Sequence, residues 1–243
     1  MVVSITIVKY RRLFAPFALL AMALHRIPLM LDRTCTFWKL MGCGKNGGFN
    51  LQPDWQMWVT LAAWKTRKDF DQFYTSSLIA LWWKKLAREE WTILCEPLSS
   101  HCKWSGKEPF ISNKINKDET YTGPVAVLTR ATIRPLKVKS FWANVGKVAS
   151  IMETSKGYVT SLSMGEAPFY LQATLSVWES MDDVINFAYK SPEHAEVIRK
   201  TRTENWYSEE LFARFRPVAT FGTLNNKNPL AGLISPEPQS INQ

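Results

Sequence analysis

Histidine is scarce in this chain, and its scarcity limits the metal chemistry that the side chains can support. The 243 residues contain three histidines, His25, His101 and His194. A two-histidine, one-carboxylate iron site would need two of them to converge, and a membrane di-iron site would need more. We disfavour both, because His25 falls in a long apolar segment and His101 in a polar one. A single axial histidine on haem needs only one.

His194 has the most favourable local sequence of the three. It follows Ser191, a good N-cap, and Pro192, which suits the first position of a helix. The ring therefore falls in the first helical turn, where the positive helix end disfavours imidazolium. Neutral imidazole is the form that binds a metal, so this pattern favours a metal or haem ligand. A half-buried histidine on a helix with a solvated basic face is the alternative interpretation.

The glycine-rich segment Gly42–Gly47 matches the pattern GxGxxG of dinucleotide sites. Such a site needs a helix straight after the glycines and an acidic residue about 20 positions further on. Instead, Pro53 follows in a polar stretch and residue 62 is alanine. We therefore favour a turn between two strands, whose glycines let the backbone approach a ligand.

The chain carries a net charge of +9 and is rich in large aromatic side chains, with 11 Trp and 13 Phe. A basic surface suits nucleic acid, anionic lipid or an acidic protein partner. No long block of Lys or Arg and no nucleic-acid motif occurs, so we expect no nucleic-acid partner. The aromatic side chains suit a core or a pocket for a long apolar ligand.

The four cysteines form no CxxC pair, so free thiols in a reducing cytoplasm are expected.

The segment Leu13–Leu31 is the most apolar part of the chain. His25, Arg26 and Pro28 interrupt it, whereas a spanning helix has about 20 apolar residues with few charges. We therefore predict a first strand, Val2–Val8, followed by an apolar core helix, rather than a signal peptide or a membrane span. Contact of this helix with the surface of the inner membrane stays open.

The two halves of the chain repeat one predicted order of elements: strand, helix, strand, strand, helix, strand. The segment Trp64–Phe73 parallels Trp178–Phe187, since each follows a strand and opens a helix. Met-Gly steps, at Met41-Gly42 and Met164-Gly165, predict matching turns. Two such units predict an α+β fold of two tandem ferredoxin-like repeats, whose sheets face each other as an α+β barrel with a pocket.

Composition and helical periodicity give the expected boundaries. We assign residues 1–98 to the first repeat, 99–123 to a polar linker, 124–224 to the second repeat with the helix of His194, and 225–243 to a disordered tail. The periodicity also predicts one continuous helix over Arg67–Leu86.

Four segments together resemble the spheroidene monooxygenase family, the carotenoid ketolases of purple bacteria. They are FWKLMGCGKNGGF (Phe37–Phe49), LTRATIRP (Leu128–Pro135), QATLSVWES (Gln172–Ser180) and HAEVIRKTRTENWYSEELFARFRP (His194–Pro217). The likeness extends over about Val2–Gly222, most of the chain. It implies an O₂-dependent monooxygenase that inserts oxygen, with formation of a keto group, at the C-2 end of an acyclic carotenoid such as spheroidene. It also implies haem iron as cofactor and a reduced ferredoxin as electron donor.

The resemblance also implies roles for individual residues. His194 would be the proximal ligand of the haem iron, and Arg202 and Arg130 would pair with the haem propionates. The residues that would shape the substrate pocket are Trp206, Tyr207, Gly42 and Gly44. Two alternatives stay open, because fold alone does not decide function. They are a non-catalytic protein of the same fold that binds haem or an apolar ligand, and a haem dehydratase or lyase.

Overall fold

The computed structural model describes residues 1–111, 121–190 and 192–234, without the side chain of residue 193. Its strands are β1 (Val2–Tyr10), β2 (Cys35–Gly44), β3 (Pro53–Trp64), β4 (Ala87–Cys102), β5 (Val125–Ile133), β6 (Tyr158–Ala167), β7 (Leu171–Trp178) and β8 (Tyr207–Gly222). Its helices are α1 (Ala15–Leu24), α2 (Arg26–Leu31), α3 (Arg67–Ser76), α4 (Leu78–Leu86), α5 (Val138–Glu153), α6 (Met181–Ile185) and α7 (Pro192–Thr203). A π-helical segment, Asn186–Lys190, joins α6 to α7.

The eight strands close into one antiparallel barrel in the order β1-β3-β2-β6-β7-β5-β8-β4. Each half has the ferredoxin-like strand order, β4-β1-β3-β2 in the first repeat and β8-β5-β7-β6 in the second. The structure therefore confirms the predicted α+β barrel of two tandem repeats. The helices of each repeat cover the outer face of its own half of the barrel.

The two repeats meet at a long seam and a short one. The long seam is the β4–β8 ladder, whereas β2 and β6 pair through Gly42 with Gly165 and through Cys43 with Met164. The Met-Gly steps thus lie within strands, which differs from the predicted turns. The sharp local geometry requires glycine at 165, because a Cβ there would lie 2.6 Å from the carbonyl oxygen of Leu171.

Polar caps divide the helical segments more finely than the periodicity predicts. The segment predicted as one helix, Arg67–Leu86, forms α3 and α4, because the side chain of Ser77 accepts a hydrogen bond from the backbone N–H of Ala80 at 3.0 Å. A serine side chain that satisfies an otherwise unpaired N–H favours the start of a new helix. The apolar segment Leu13–Leu31 is likewise divided, with His25 between α1 and α2.

Two segments predicted to be irregular are partly ordered on the barrel. Residues 99–102, assigned to the linker, continue β4 and pair with β8. In the predicted tail, Leu230 is completely buried among the side chains of the barrel interior, and the N–H groups of Asn225 and Asn226 donate to the carboxylate of Glu89. Burial of an apolar side chain offsets the entropy lost on ordering residues 225–234. The prediction for residues 235–243 concerns residues outside those described.

Apolar packing differs between the outer faces of the two repeats. Outside the first repeat, Trp64, Phe70 and Trp83 form a dense aromatic cluster beneath α1–α4. Outside the second repeat, the buried apolar cluster among the described residues is much smaller and centres on Trp178 and Met152. The remaining space between the sheet and α5–α7 is a cavity.

Candidate cofactor cavity and substrate groove

The cavity outside the second repeat measures about 200 Å³. Its helical wall is apolar and aromatic and includes Phe141 and Ala149 of α5 and Phe187 of the π-helical segment. His194, near the start of α7, also lines it. An apolar space with a single imidazole can hold a hydrophobic group that needs one nitrogen ligand.

The ring of His194 is fixed by its neighbours. It stacks on the ring of Phe187, with centroids 4.6 Å apart and planes inclined by 23°. Its Nδ1 lies 3.1 Å from the backbone carbonyl oxygen of Ala188. When Nδ1–H donates to that carbonyl, the neutral ring carries its lone pair on Nε2, the atom that would bind a metal.

Burial keeps this imidazole neutral. Desolvation lowers the pKa of His194 below its ordinary value, and the hydrogen bond to the carbonyl of Ala188 opposes this effect only in part. The sequence predicts a neutral ring from the charge of the helix end. The direction agrees with that prediction, but the larger physical cause is removal of the ring from water.

Comparison of the two repeats sets His194 apart from the residues that the fold needs. Residues 64 and 178 end equivalent strands, and residues 78 and 192 begin equivalent helices, a constant offset of 114. At that offset His194 corresponds to Ala80, which is buried in α4. Phe73 and Phe187 tilt alike against their tryptophans, at 4.6 and 5.0 Å. An alanine therefore suffices for packing at this position, and the histidine is an addition to the repeated fold.

Two further differences between the repeats account for the cavity. Trp83, fully buried against Phe73, corresponds to Val197, and Trp58 corresponds to Gln172. In both places the first repeat has a tryptophan and the second has a smaller side chain. Of the two smaller side chains, Gln172 lines the cavity, so part of the volume that tryptophan fills outside the first repeat is open outside the second.

A groove of about 220 Å³ adjoins the cavity and lies over the short β2–β6 seam. Gln172 lines both spaces, and the consecutive residues Phe141 and Trp142 line the cavity and the groove respectively. At the outer rim, Trp55 and Phe169 expose about half of their surface. The groove therefore adjoins the cavity of His194 at Gln172.

The backbone beside this groove is strained. Phe169 has a φ of 73°, in the left-handed region that side chains other than glycine rarely adopt. Its carbonyl accepts a hydrogen bond from the indole N–H of Trp142 at 3.0 Å, which ties the rim to α5. Strain held by such contacts is common at ligand sites.

The structure places the predicted pocket residues near these two spaces. Gly42 and Gly44 line the groove, and Tyr207 lines the cavity. Trp206 is buried beside Phe141, with ring centroids 6.5 Å apart, so it supports the cavity wall from behind. Burial raises the pKa of Tyr207 to about 12, so its phenol is neutral at pH 7 and can donate a hydrogen bond.

The structure does not bring the two predicted arginines to His194. Arg130 lies on the opposite face of the sheet, where its guanidinium pairs with Glu209 and Glu166 and lies over the ring of Trp104. Successive side chains of β5 point to opposite faces, and residue 130 shares the interior face with Leu128. Arg202 is exposed in the last turn of α7, about 12 Å along the helix from His194.

Sequence reasoning missed the polar wall of the cavity. Thr129 of β5 and Gln172, Thr174 and Ser176 of β7 face the helices across this space. The signal was present in QATLSVW, where polar residues alternate with Ala173, Leu175 and Val177. A sheet face covered by helices is normally apolar, so a polar row there indicates a lined pocket.

Sequence similarity to known proteins shows the family of this chain. A model described as "Domain of unknown function (DUF3291)" matches residues 125–213. The spheroidene monooxygenase of Rhodobacter capsulatus is 32% identical over 219 residues, which cover 90% of each chain. This chain belongs to the spheroidene monooxygenase family. The family member from Cereibacter sphaeroides is 36% identical over 203 residues, 83% of this chain and 62% of that relative, so the chain spans less than two thirds of its length.

Solved structures show that the family shares its fold with other enzymes. An aldoxime dehydratase crystallised with butyraldoxime superposes with a TM-score of 0.61 at 11% identity, covering 89% of this chain and 79% of that one. A second aldoxime dehydratase gives a TM-score of 0.57 at 9% identity, covering 89% and 81%. At these identities the likeness shows the fold alone.

The donor set of this spheroidene monooxygenase family member fits haem better than a bare metal ion. Among the residues that the structure describes, no group of three His, Cys, Asp or Glu side chains could hold a metal. Burial raises the pKa of the Cys43 thiol, so it is a neutral core group and a poor ligand. Ligand pockets commonly measure about 300–1,000 Å³, so the cavity of about 200 Å³ would enclose only part of a haem, and the rest would lie towards its open side.

Proposed function

We propose that this protein is a haem-dependent monooxygenase that inserts oxygen into an acyclic carotenoid such as spheroidene. One observation carries the proposal: a histidine that the repeated fold does not need is held neutral in an apolar cavity. The aromatic groove that leads to it suits a long apolar polyene. Membership of the family supports the carotenoid as the class of substrate.

His194 would hold the cofactor through Nε2. The stacked ring of Phe187 and the carbonyl of Ala188 would fix the ring and raise its basicity. Haem, when bound, supplies an iron that activates O₂. No Lys or Arg lines the described cavity, so the haem carboxylates would lie at its mouth. Pairing of one carboxylate with the exposed Arg202 remains a proposal, whereas Arg130 is engaged elsewhere.

The polar wall would supply hydrogen bonds on the side away from His194. Haem held by a neutral imidazole would supply oxygen chemistry with less electronic push than haem held by a thiolate, so hydrogen-bond donors of the pocket would have to contribute. Gln172 and Thr174 lie on that wall, and Tyr207 can donate its phenol proton. We assign the oxygen-side donor to this group.

The groove would bind the polyene along its length. Trp55, Trp58 and Trp142 offer flat apolar faces, and Gly42 and Gly44 line the groove beside them. The end of the substrate would pass Gln172 and enter the cavity. Only the terminal part of an acyclic carotenoid would thus meet the oxidising centre, and the apolar walls would exclude water.

An acidic, ferredoxin-type protein would deliver the electrons. The charge of +9 supports this partner, and helices α5 and α7, which cover the cavity, carry exposed cations on their outer face. On that face Lys200, Arg199 and Lys147 lower the pKa of the exposed Glu196, which shows that cations of α5 and α7 surround it. Such a face attracts acidic proteins.

Product analysis separates this function from its alternatives. Purified protein supplied with haem, a reductant, O₂ and an acyclic carotenoid should form a ketone, and omission of O₂ or of reductant should abolish the product. Turnover that persists without both would favour the dehydratase or lyase. Haem binding without turnover of any acyclic carotenoid would favour the non-catalytic protein.

A further inference from the structure

Helices α1 and α2 expose most of their large apolar side chains, with the buried Leu29 as an exception, whereas two alanines face the barrel. Ala18 and Ala21 are completely buried on the side that packs on the barrel. The side chains of the outward row are 44 to 81% exposed and are Leu13, Phe17, Leu20, Leu24, Ile27 and Leu31. They recur at helical spacing, and we call this row the apolar stripe. A surface helix of a water-soluble domain has the reverse orientation, with its large apolar residues towards the core.

Exposed arginines border the apolar stripe. Arg11 and Arg12 precede it, Arg26 lies between the two helices, and Arg33 follows it. The acidic residue in this part of the chain is Asp32, whose carboxylate accepts hydrogen bonds from the N–H and hydroxyl of Thr34. An apolar stripe with a basic border matches the two layers of an anionic membrane surface, acyl chains below and phosphates above.

Helix α4 extends the same face. It packs beside the junction of α1 and α2, where the rings of His25 and Trp82 lie 5.6 Å apart. On α4, Leu78 and Leu81 are exposed, and two lysines occupy its last turn. The exposed apolar surface therefore extends beyond a single helix, and it is again bordered by cations.

The strands that flank α1 and α2 indicate whether these helices lie on a bilayer or cross it. The segment Arg12–Leu31 is long and apolar enough to cross. However, β1 precedes it and pairs with β3 and β4, and β2 follows it and pairs with β3. Crossing would pull one of these strands out of the barrel and leave its backbone groups unpaired. A helix in the plane of the membrane surface keeps both ladders intact.

We propose that the apolar stripe docks this protein on the surface of an anionic lipid bilayer. The six side chains enter the boundary between headgroups and acyl chains, and the bordering arginines contact phosphates. Docking uses the first repeat, whereas the His194 cavity lies outside the second, on the other half of the barrel. An electron donor can therefore approach the cavity while the protein is docked.

Flotation with lipid vesicles tests the docking and requires no haem. The purified full-length protein should float with vesicles of phosphatidylglycerol and phosphatidylcholine, and less with phosphatidylcholine alone. The double variant Leu20→Glu/Leu24→Glu should lower the bound fraction about tenfold or more. The matched control is Leu136→Glu, because Leu136 is 95% exposed in the second repeat. The control should float like the wild type, and thermal unfolding should show that both variants fold.

Several outcomes would overturn the proposal. One is failure of the wild type to float with anionic vesicles. A second is a solution dimer that the double variant dissociates, because a second copy would then cover the stripe. Protein that stays in the vesicles after an alkaline carbonate wash would show insertion rather than surface docking. The double variant Arg11→Gln/Arg12→Gln provides an independent test. It should weaken binding to anionic vesicles and leave binding to phosphatidylcholine vesicles unchanged. Unchanged binding to anionic vesicles would contradict the role of charge.

Discussion

At the residue scale, the three histidines differ in their surroundings, and only those of His194 suit a ligand. His194 has a carbonyl against Nδ1 and an aromatic ring beneath it, which orient the imidazole as a ligand. His101 is exposed, and His25 lies between two tryptophans. The capping pattern of the sequence was enough to single out His194. The sequence does not contain the desolvation that keeps the ring neutral, because that depends on residues brought together by the barrel.

His25 should make the stability of the protein fall in acid. Both ring nitrogens lack a hydrogen-bond partner within the described part of the chain, and burial lowers the pKa from 6.5 to about 4. The unfolded state therefore binds a proton more readily than the folded state between these values. As the pH falls from 6.5 to 4, the free energy of unfolding should drop by up to about 3 kcal/mol from this group.

Chemical denaturation over that pH range measures the effect of His25. The variant His25→Leu should show a flatter dependence than the wild type below pH 6.5, and the two curves should run parallel above it. His101→Leu provides the matched control, because His101 is exposed and its replacement should leave the slope unchanged. Equal slopes in wild type and His25→Leu would contradict the assigned burial of a neutral ring.

The face of β5 that carries Arg130 could not be predicted from residue types. Strand β5 is buried on both faces except at Thr129, so its sequence has no regular alternation that tells the interior from the exterior. An arginine in such a strand could face either side. In the structure Arg130 faces the barrel interior and pairs with Glu209. The carboxylate of Glu209 also accepts hydrogen bonds from the N–H groups of Ser105 and Gly106.

At the scale of elements, the tandem repeat explains both the fold and the site. The order of strands and helices was predictable because each half repeats the same periodicity and the same tryptophan at the end of its third strand. The cavity was not predictable in this way. It involves differences at equivalent positions, such as Trp58 in the first repeat and Gln172 in the second, and the sequence alone does not show which of these positions face the helices.

Filling the cavity should remove cofactor binding without unfolding the second repeat. Ala149 of α5 is buried and lines the cavity, so the variant Ala149→Phe places a ring in the space assigned to haem. The apparent affinity for haem should fall about tenfold or more, because the pocket loses volume that the ligand needs. Haem titration followed by absorption measures this change.

A second alanine of the same helix gives the control for that experiment. Ala143 is exposed on α5, so Ala143→Phe adds the same group outside the cavity. It should bind haem like the wild type, and both variants should melt within a few degrees of it. Haem affinity that is unaffected by Ala149→Phe would place the cofactor elsewhere.

At the scale of the whole molecule, the closed barrel separates two surfaces. The apolar stripe lies on the first repeat, and the cavity lies outside the second, beneath helices α5 and α7. Composition alone indicated a basic surface and an apolar segment, but it could not show that the apolar stripe and the cavity lie on different halves of the barrel. That separation depends on barrel closure through the two seams, which involve residues far apart in sequence.

The cations on the outer face of α5 and α7 should make electron delivery sensitive to salt. The rate with a reduced ferredoxin at limiting concentration should fall several-fold as ionic strength rises, because screening weakens attraction between the two proteins. The double variant Lys147→Glu/Arg199→Glu should show a lower rate and a weaker salt dependence. Arg88→Glu, an exposed charge reversal in the first repeat, is the control. A rate independent of salt in the wild type would argue against an acidic donor at this face.

The most direct test of the central claim is the absorption spectrum of the haem-reconstituted protein with and without His194. The wild type should show a Soret band, and His194→Ala should lose it or shift it while remaining folded, because alanine occupies the equivalent position in the first repeat. His101→Ala should retain the wild-type spectrum. No Soret band in the wild type, or an unchanged band in His194→Ala, would contradict the account.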